Sequence, residues 1–130
     1  MNRRALLSAV LLASAAGAAS ASAPKGGAPQ STYLGFPTLT ATVARTGGGR
    51  GVMSVEAGLE INDAHLMEQA TASQPRIRAA YAQALQTFAA ALLPGFAPDT
   101  DRLAGTLQQA TDRTLGRRGA RVLLGTVMVN

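Results

Sequence analysis

The chain has 130 residues, with 12 lysines and arginines against seven aspartates and glutamates, and a formal net charge of +5. It has no cysteine, no tryptophan and a single histidine. These counts exclude disulfides, thiolate zinc sites, thiol catalysis and a lipid anchor on cysteine. A basic excess that is mild and spread along the chain argues against nucleic acid as a partner.

The first 23 residues have the pattern of an export signal. Arg3 and Arg4 precede a charge-free apolar run, and Ala19-Ser20-Ala21 has the small-residue form of a signal-peptidase site. We therefore expect a signal peptide over Met1–Ala21, cleaved after Ala21, and a periplasmic product. The paired arginines fit both a general secretory signal and a twin-arginine signal, so the export route stays open.

An uncleaved anchor in the inner membrane is the alternative interpretation of this segment. Ala5–Ala23 approaches the ~20 residues needed to span a bilayer. Its second half, however, consists almost entirely of alanine, serine and glycine. The short apolar part suits a signal peptide better, and we expect membrane contact only if the leader is retained.

A linker and one small domain follow the leader. Ser22–Thr32 is rich in alanine, glycine, proline and serine, which is typical of a flexible linker. Tyr33–Asn130 is long enough for a single core.

Two alternating segments predict a β-hairpin. In Phe36–Ala44 and in Val52–Ile61, apolar residues alternate with polar or small ones, the period of a half-buried strand. The glycine-rich loop Arg45–Gly51 joins them. We expect an antiparallel pair with one face in water.

Three helical segments come next. Asn62 or Asp63 can cap a short helix that ends near Ala72, and Ser73-Gln74-Pro75 starts a longer one. The longer helix, ended by Pro94-Gly95, carries an apolar stripe at three- and four-residue spacing: Ile77, Ala80, Tyr81, Ala84, Leu85, Phe88 and Leu92.

Asp99 or Thr100 starts the last helix, and Gly116 ends it. Its narrower stripe comprises Leu103, Leu107, Ala110, Thr114 and Leu115.

A final apolar run completes the prediction. Arg121–Asn130 is apolar on both faces, which favours an inner strand that pairs with the hairpin. The fold class is therefore α+β: a small β-β-α-α-β domain in which a mostly antiparallel sheet packs against two helices.

Few residues offer chemistry. His65, the single histidine, lies beside Asp63 at a helix start, and no second imidazole is present to complete a typical metal or acid–base site. Glu56 and Glu60 share one strand face about 13 Å apart, too far for a glycosidase pair. A charged face in water, with Arg45 or Arg50 opposite, explains them.

The remaining candidates have structural explanations. Asp99 and Asp101 flank a helix start, where carboxylates favour the exposed amides. Thr46–Gly51 lacks the helix and the Gly-Lys-Ser/Thr ending of a phosphate loop, which favours a hairpin turn. The basic cluster Arg117–Arg121 is expected to cover a helix end and a turn. We predict no enzyme, and no catalytic, cofactor-binding or metal-binding residues.

Several segments resemble one known family. Tyr33–Ala41 reads tyrosine, proline and then a threonine-rich alternation; Val52–Asp63 is a second strand with an acidic exit. Gln74–Ala80 opens the long helix with proline, isoleucine and arginine, and Val127–Asn130 closes the pattern. In these features the chain resembles the periplasmic domain of the flagellar basal-body-associated FliL family.

That resemblance implies a fold similar to the stomatin/prohibitin type and a non-enzymatic role near the flagellar motor, where the family supports the stator units. It also implies self-association and envelope or flagellar motor partners. Family members usually retain a transmembrane helix, whereas this chain has a cleavable signal by our interpretation. A paralogue with another partner is therefore an open alternative.

Three functions can be compared at this point. The first is a periplasmic interaction module that binds copies of itself or an envelope partner. The second is a periplasmic protein that binds a small apolar ligand between the helices and the sheet. The third, an enzyme that uses His65 or the carboxylates, has the least support, because so little acid–base machinery is present.

Overall fold

The computed structural model of the protein describes residues 31–130. The predicted leader, Met1–Ala21, and all but the last two residues of the predicted linker lie outside the described residues. The elements in chain order are β1 (Tyr33–Gly35), β2 (Leu39–Ala44), β3 (Arg50–Ile61), α1 (Ala64–Ala72), α2 (Gln74–Ala90), α3 (Thr100–Leu115) and β4 (Ala120–Val129).

The long strand β3 is the centre of an antiparallel four-stranded sheet. β1 and β2 pair with it along one side, as Leu39 opposite Val55 shows, and β4 pairs along the other side, where Val127 lies opposite the same valine. The hairpin and the α+β class are thus confirmed. The inner position predicted for the last strand was wrong, since β4 pairs only with β3 among the described strands.

β1 and β2 together form one edge strand with a break. Gly35 lies opposite Gly58 and Leu39 opposite Val55, so four steps on the edge match three on β3. The extra residue falls around Pro37, which has no N–H to donate to a ladder. The single strand predicted for Phe36–Ala44 therefore begins only at Leu39.

β4 contains a bulge. Val55 pairs with Val127 and Ala57 with Leu124, so Gly125 and Thr126 together face the single residue Glu56. Because of the bulge, Leu124 before it and Val127 after it lie on the same face of β4, the face toward the helices.

The helices cover one face of this sheet. α2 packs against β2, and α3 packs against α2 and β4. Every second residue of β3 from Met53 to Ile61 is buried beneath them, as a one-sided sheet requires. The buried positions of the two long helices are Ile77, Tyr81, Leu85 and Ala89 on α2 and Leu103, Leu107, Thr111 and Leu115 on α3.

The helix ends follow the sequence signals except at the end of α2, which stops at Ala90 and not at the predicted Pro94-Gly95. The Asp63 carboxylate accepts hydrogen bonds from the backbone N–H groups of His65 and Leu66 at 2.8 and 3.2 Å and so caps α1. Asp99 caps α3 in the same way. Gly116 ends α3 with φ at 72°, a left-handed conformation that glycine adopts without steric cost. No helix within residues 31–130 is both long and apolar enough to cross a bilayer.

A buried polar contact joins α2 to α3. The Tyr81 hydroxyl donates to Thr111 Oγ1, because the Thr111 hydroxyl itself donates to the Leu107 carbonyl at 2.8 Å. Both side chains are fully buried, and burial raises the pKa of Tyr81 to about 12. Phe36 packs edge-to-face on the Tyr81 ring, with centroids 5.2 Å apart. This tyrosine therefore ties both long helices to the β1–β2 edge.

Candidate interaction surfaces

The single histidine is exposed in the first turn of α1. Its backbone N–H donates to Asp63, and its ring has no hydrogen-bond partner among the described residues. Within residues 31–130 there is no group of three or more histidines, aspartates or glutamates that could hold a metal ion. His65 is therefore not part of such a cluster in the described part of the chain.

The two carboxylates of β3, Glu56 and Glu60, lie next to residues other than those expected. Glu56 Oε2 accepts a long hydrogen bond, 3.4 Å, from the Thr126 N–H at the β4 bulge. Glu60 lies directly opposite Arg121 on β4. The predicted partners, Arg45 and Arg50, are at the hairpin end of the strand, so that prediction was wrong. The alternation of Glu56, Gly58 and Glu60 shows that the two carboxylates share a face, but it does not show that residues of the distant strand β4 lie next to them.

The predicted glycine-rich loop connects two antiparallel strands, but it is shorter than expected, because Arg50 and Gly51 already belong to β3 and pair with Ala44 and Val43. Gly47, Gly48 and Gly49 all have positive φ, between 84° and 95°. Arg45 N–H donates to the Gly49 carbonyl at 3.2 Å and closes the turn. With a strand on each side, the loop lacks the helix N-terminus that a phosphate loop provides.

The basic cluster after α3 makes a contact outside its own turn. Arg117 forms a 3.0 Å ion pair with Asp63, the one ion pair that the structure shows within residues 31–130. The pKa of Asp63 is lowered first by the backbone hydrogen bond from Leu66, and further by Arg117 and the His65 N–H. Asp63 thus links the start of α1 to the segment after α3.

The outer edge of β4 is half closed by one side chain. Gln108 Nε2 donates to the Ala120 carbonyl at 2.7 Å and to Asp112 at 3.0 Å. Gln108 Oε1 accepts from the Val122 N–H at 2.9 Å. The amide thus bonds to β4 as a neighbouring strand would. Its helix position gave no sign of this role, because glutamine is common on exposed helix faces.

Beyond Val122 the edge is free of partners in the described chain. Asn130 and Val52 exchange both backbone hydrogen bonds, so alternation directs the N–H and C=O groups of Val127 and Val129 away from β3. No side chain in Val122–Asn130 is charged. Met128 is 51% and Val129 46% exposed, high values for apolar side chains in a strand. This segment, Leu124–Val129, is called the free edge below.

The opposite edge of the sheet is less suited to pairing. β2 spans six residues and is separated from β1 by the break at Pro37. The outward residues of β2 include Thr40 and Thr42, both exposed and polar. Short, interrupted and polar edges are the ones that resist strand addition.

The face of the sheet away from the helices is partly apolar. The Tyr33 side chain covers Gly58, since a Cβ there would come within 2.3 Å of the phenol oxygen and 2.4 Å of two ring carbons. Val52 and Met128, from neighbouring strands, are both about half exposed on this face. The apolar residues on both faces of β4 thus reflect an open face rather than an inner position.

A cleft of about 650 Å³ runs between α2 and α3 on the side away from the sheet. α2 contributes Ala80, Ala84 and Phe88, which are half-buried members of the predicted stripe. α3 contributes Ala110 and Thr114, predicted for the core, whereas Thr111 is the residue that is buried there. A polar residue in a core position carries no sequence signal unless its partner, here Tyr81, is known.

No protein-family model matches the chain, and no curated protein matches it at a significant level.

Proposed function

We propose that the protein is an exported, non-enzymatic interaction module that associates with a second copy of itself through the free edge of β4. The observation that carries this proposal is that one part of the outer edge of β4 is hydrogen-bonded to Gln108 and the other part is not. Gln108 bonds to Ala120 and Val122 at the start of the edge, while beyond the bulge the uncharged side chains of Met128 and Val129 are exposed. Unpaired edges of this kind add strands from other chains.

A second copy suits the free edge because the segment is complementary to itself. Antiparallel pairing about Met128 places Val127 of each copy opposite Val129 of the other. The N–H and C=O groups of both valines, which point away from β3, are then hydrogen-bonded to the other copy. The uncharged segment brings no like charges together at the two-fold axis.

The setting that we propose is the periplasm, on the strength of the leader pattern. The resemblance to the FliL periplasmic domain supports a role at the flagellar motor or in a related envelope assembly. The alternative, an apolar ligand between helices and sheet, has less support. Ile77, Tyr81 and Leu85 are fully buried there, and core packing accounts for all three.

The test compares two lysine substitutions on the open face of the sheet. Met128→Lys places like charges opposite each other at the proposed axis and should weaken dimerisation at least about tenfold. Val52→Lys adds the same charge to a similarly exposed side chain, one strand further in, and should leave association unchanged. Sedimentation equilibrium across a concentration series measures both.

A charge-swap experiment separates disrupted pairing from misfolding. Met128→Lys and Met128→Glu should each be monomeric alone and form a heterodimer when mixed. A wild-type protein that stays monomeric at high concentration would refute the proposal. So would equal association of the wild-type protein and the Met128→Lys variant.

A further inference from the structure

The apolar residues that line the cleft between α2 and α3 flank the core: Ala84, Phe88 and Ala110 pack against it with part of their surface and leave the rest in the cleft. Ile77, Tyr81, Leu85 and Ala89 form the buried row of α2. A second row one position away, which includes Ala80, Ala84 and Phe88, is only half-buried and lines the cleft.

The dimensions of the cleft suit a helix. Small side chains on both walls, such as Ala84 and Ala110, leave the space of about 650 Å³ between the two helices. From Ala80 to Ala91 the α2 wall extends about 16 Å at 1.5 Å per residue, the length of three helical turns. The cleft is partly open to solvent, so a compact small molecule would leave part of its surface in water.

The two walls differ in charge. Arg102 and Arg113 line the α3 wall, and neither guanidinium forms an ion pair with another residue in 31–130. They lie eleven residues, about 16 Å, apart on one helix face. The one acidic residue of the lining, Asp99, is engaged as the cap of α3. The α2 wall carries no charge; its polar residues are Gln83 and Thr87.

From this arrangement we propose that the α2–α3 cleft binds an acidic amphipathic helix of another protein. The apolar stripe of that helix packs on the alanines and Phe88, and carboxylates on one flank pair with Arg102 and Arg113. Three turns of the partner match the spacing of the two guanidiniums. Helix-in-groove binding of this kind takes its affinity from the apolar anchors and its orientation from the flanking charges.

The test is a selection whose result the charge pattern predicts. The probe is a displayed library of four-turn helices with a fixed stripe of leucine, alanine and phenylalanine and with flanks that vary among glutamate, lysine and glutamine. Ala84→Trp fills the cleft and serves for counter-selection. We expect enrichment of glutamate on one flank and at least tenfold weaker binding to Ala84→Trp.

Exposed arginines give matched variants that do not depend on core packing. Arg102→Gln with Arg113→Gln should weaken the selected peptide about tenfold or more, and salt should weaken the wild-type complex. Arg76→Gln with Arg78→Gln removes two exposed charges of α2 outside the cleft and should change binding by less than about twofold.

Three outcomes would overturn the proposal: no enrichment over the Ala84→Trp variant, preference for lysine flanks, or equal binding by the Arg102/Arg113 double variant. Because the cleft lies on the opposite side of the helices from the sheet, Met128→Lys should bind the peptide as the wild type does. Failure of dimerisation and failure of peptide binding are therefore separate results.

Discussion

The buried contact between Tyr81 and Thr111 gives a sharp stability prediction. Tyr81→Phe removes one hydrogen bond, but the Thr111 hydroxyl keeps its acceptor, the Leu107 carbonyl. The expected cost is about 1 kcal/mol, the net value of an ordinary hydrogen bond. Thr111→Val leaves the fully buried Tyr81 hydroxyl without a partner, and should cost about 2–3 kcal/mol.

The double variant tests the reasoning about unpaired groups. Tyr81→Phe with Thr111→Val removes both hydroxyls and leaves an apolar contact, so it should be more stable than Thr111→Val alone. Urea unfolding followed by far-ultraviolet circular dichroism measures all four proteins. If Thr111→Val costs no more than Tyr81→Phe, the contact does not have the satisfied, buried character described above.

Alkaline pH gives an independent measurement on the same residue. The pKa of Tyr81 is raised to about 12, whereas an unfolded tyrosine titrates near 10. Between these values the unfolded chain loses a proton that the folded protein retains, so stability falls as pH rises. The loss due to Tyr81 should reach about 2 kcal/mol by pH 12 and be absent in Tyr81→Phe. Parallel pH profiles for the two proteins would refute the assignment.

Two further predictions concern polar side chains at element ends. Gln108→Ala leaves two backbone groups of β4 without partners and should cost about 1–3 kcal/mol in urea unfolding, whereas exposed Gln109→Ala should cost less than about 0.5 kcal/mol. The pKa of Asp63 is lowered, chiefly by the Leu66 N–H and then by Arg117, so its stabilisation is present above the unfolded pKa near 3.9 and is lost on acidification. Asp63→Asn should therefore lose less stability than the wild type as pH falls below about 4, and equal losses would contradict this.

Local signals in the sequence predicted much of the fold. Asp63, Asp99 and Gly116 act within one helical turn of their position, and their roles follow from capping chemistry alone. Period-two alternation located the two hairpin strands, because it too is a pattern among neighbouring residues. The α+β class follows once these elements are placed.

Features that depend on distant residues could not be predicted. Thr111 is polar, and only Tyr81, thirty residues earlier, makes its burial favourable. Gln108 bonds to a strand twelve or more residues away. Apolar residues on both faces of β4 fit an inner strand and an edge strand with an apolar open face equally well. The cleft depends on the distance between α2 and α3, and the apolar stripe of a single helix does not predict that distance.

The central position of β3 has a consequence for the order of folding. Its partner β2 is the preceding element, whereas Ile61 and Ala120, partners on its other side, are 59 positions apart in sequence. Hairpins form in microseconds, but closing a segment that long costs entropy before any contact compensates for it. The pairing of β3 with β4 should therefore form last. Until then, the edge of β3 that β4 will cover is open to other chains.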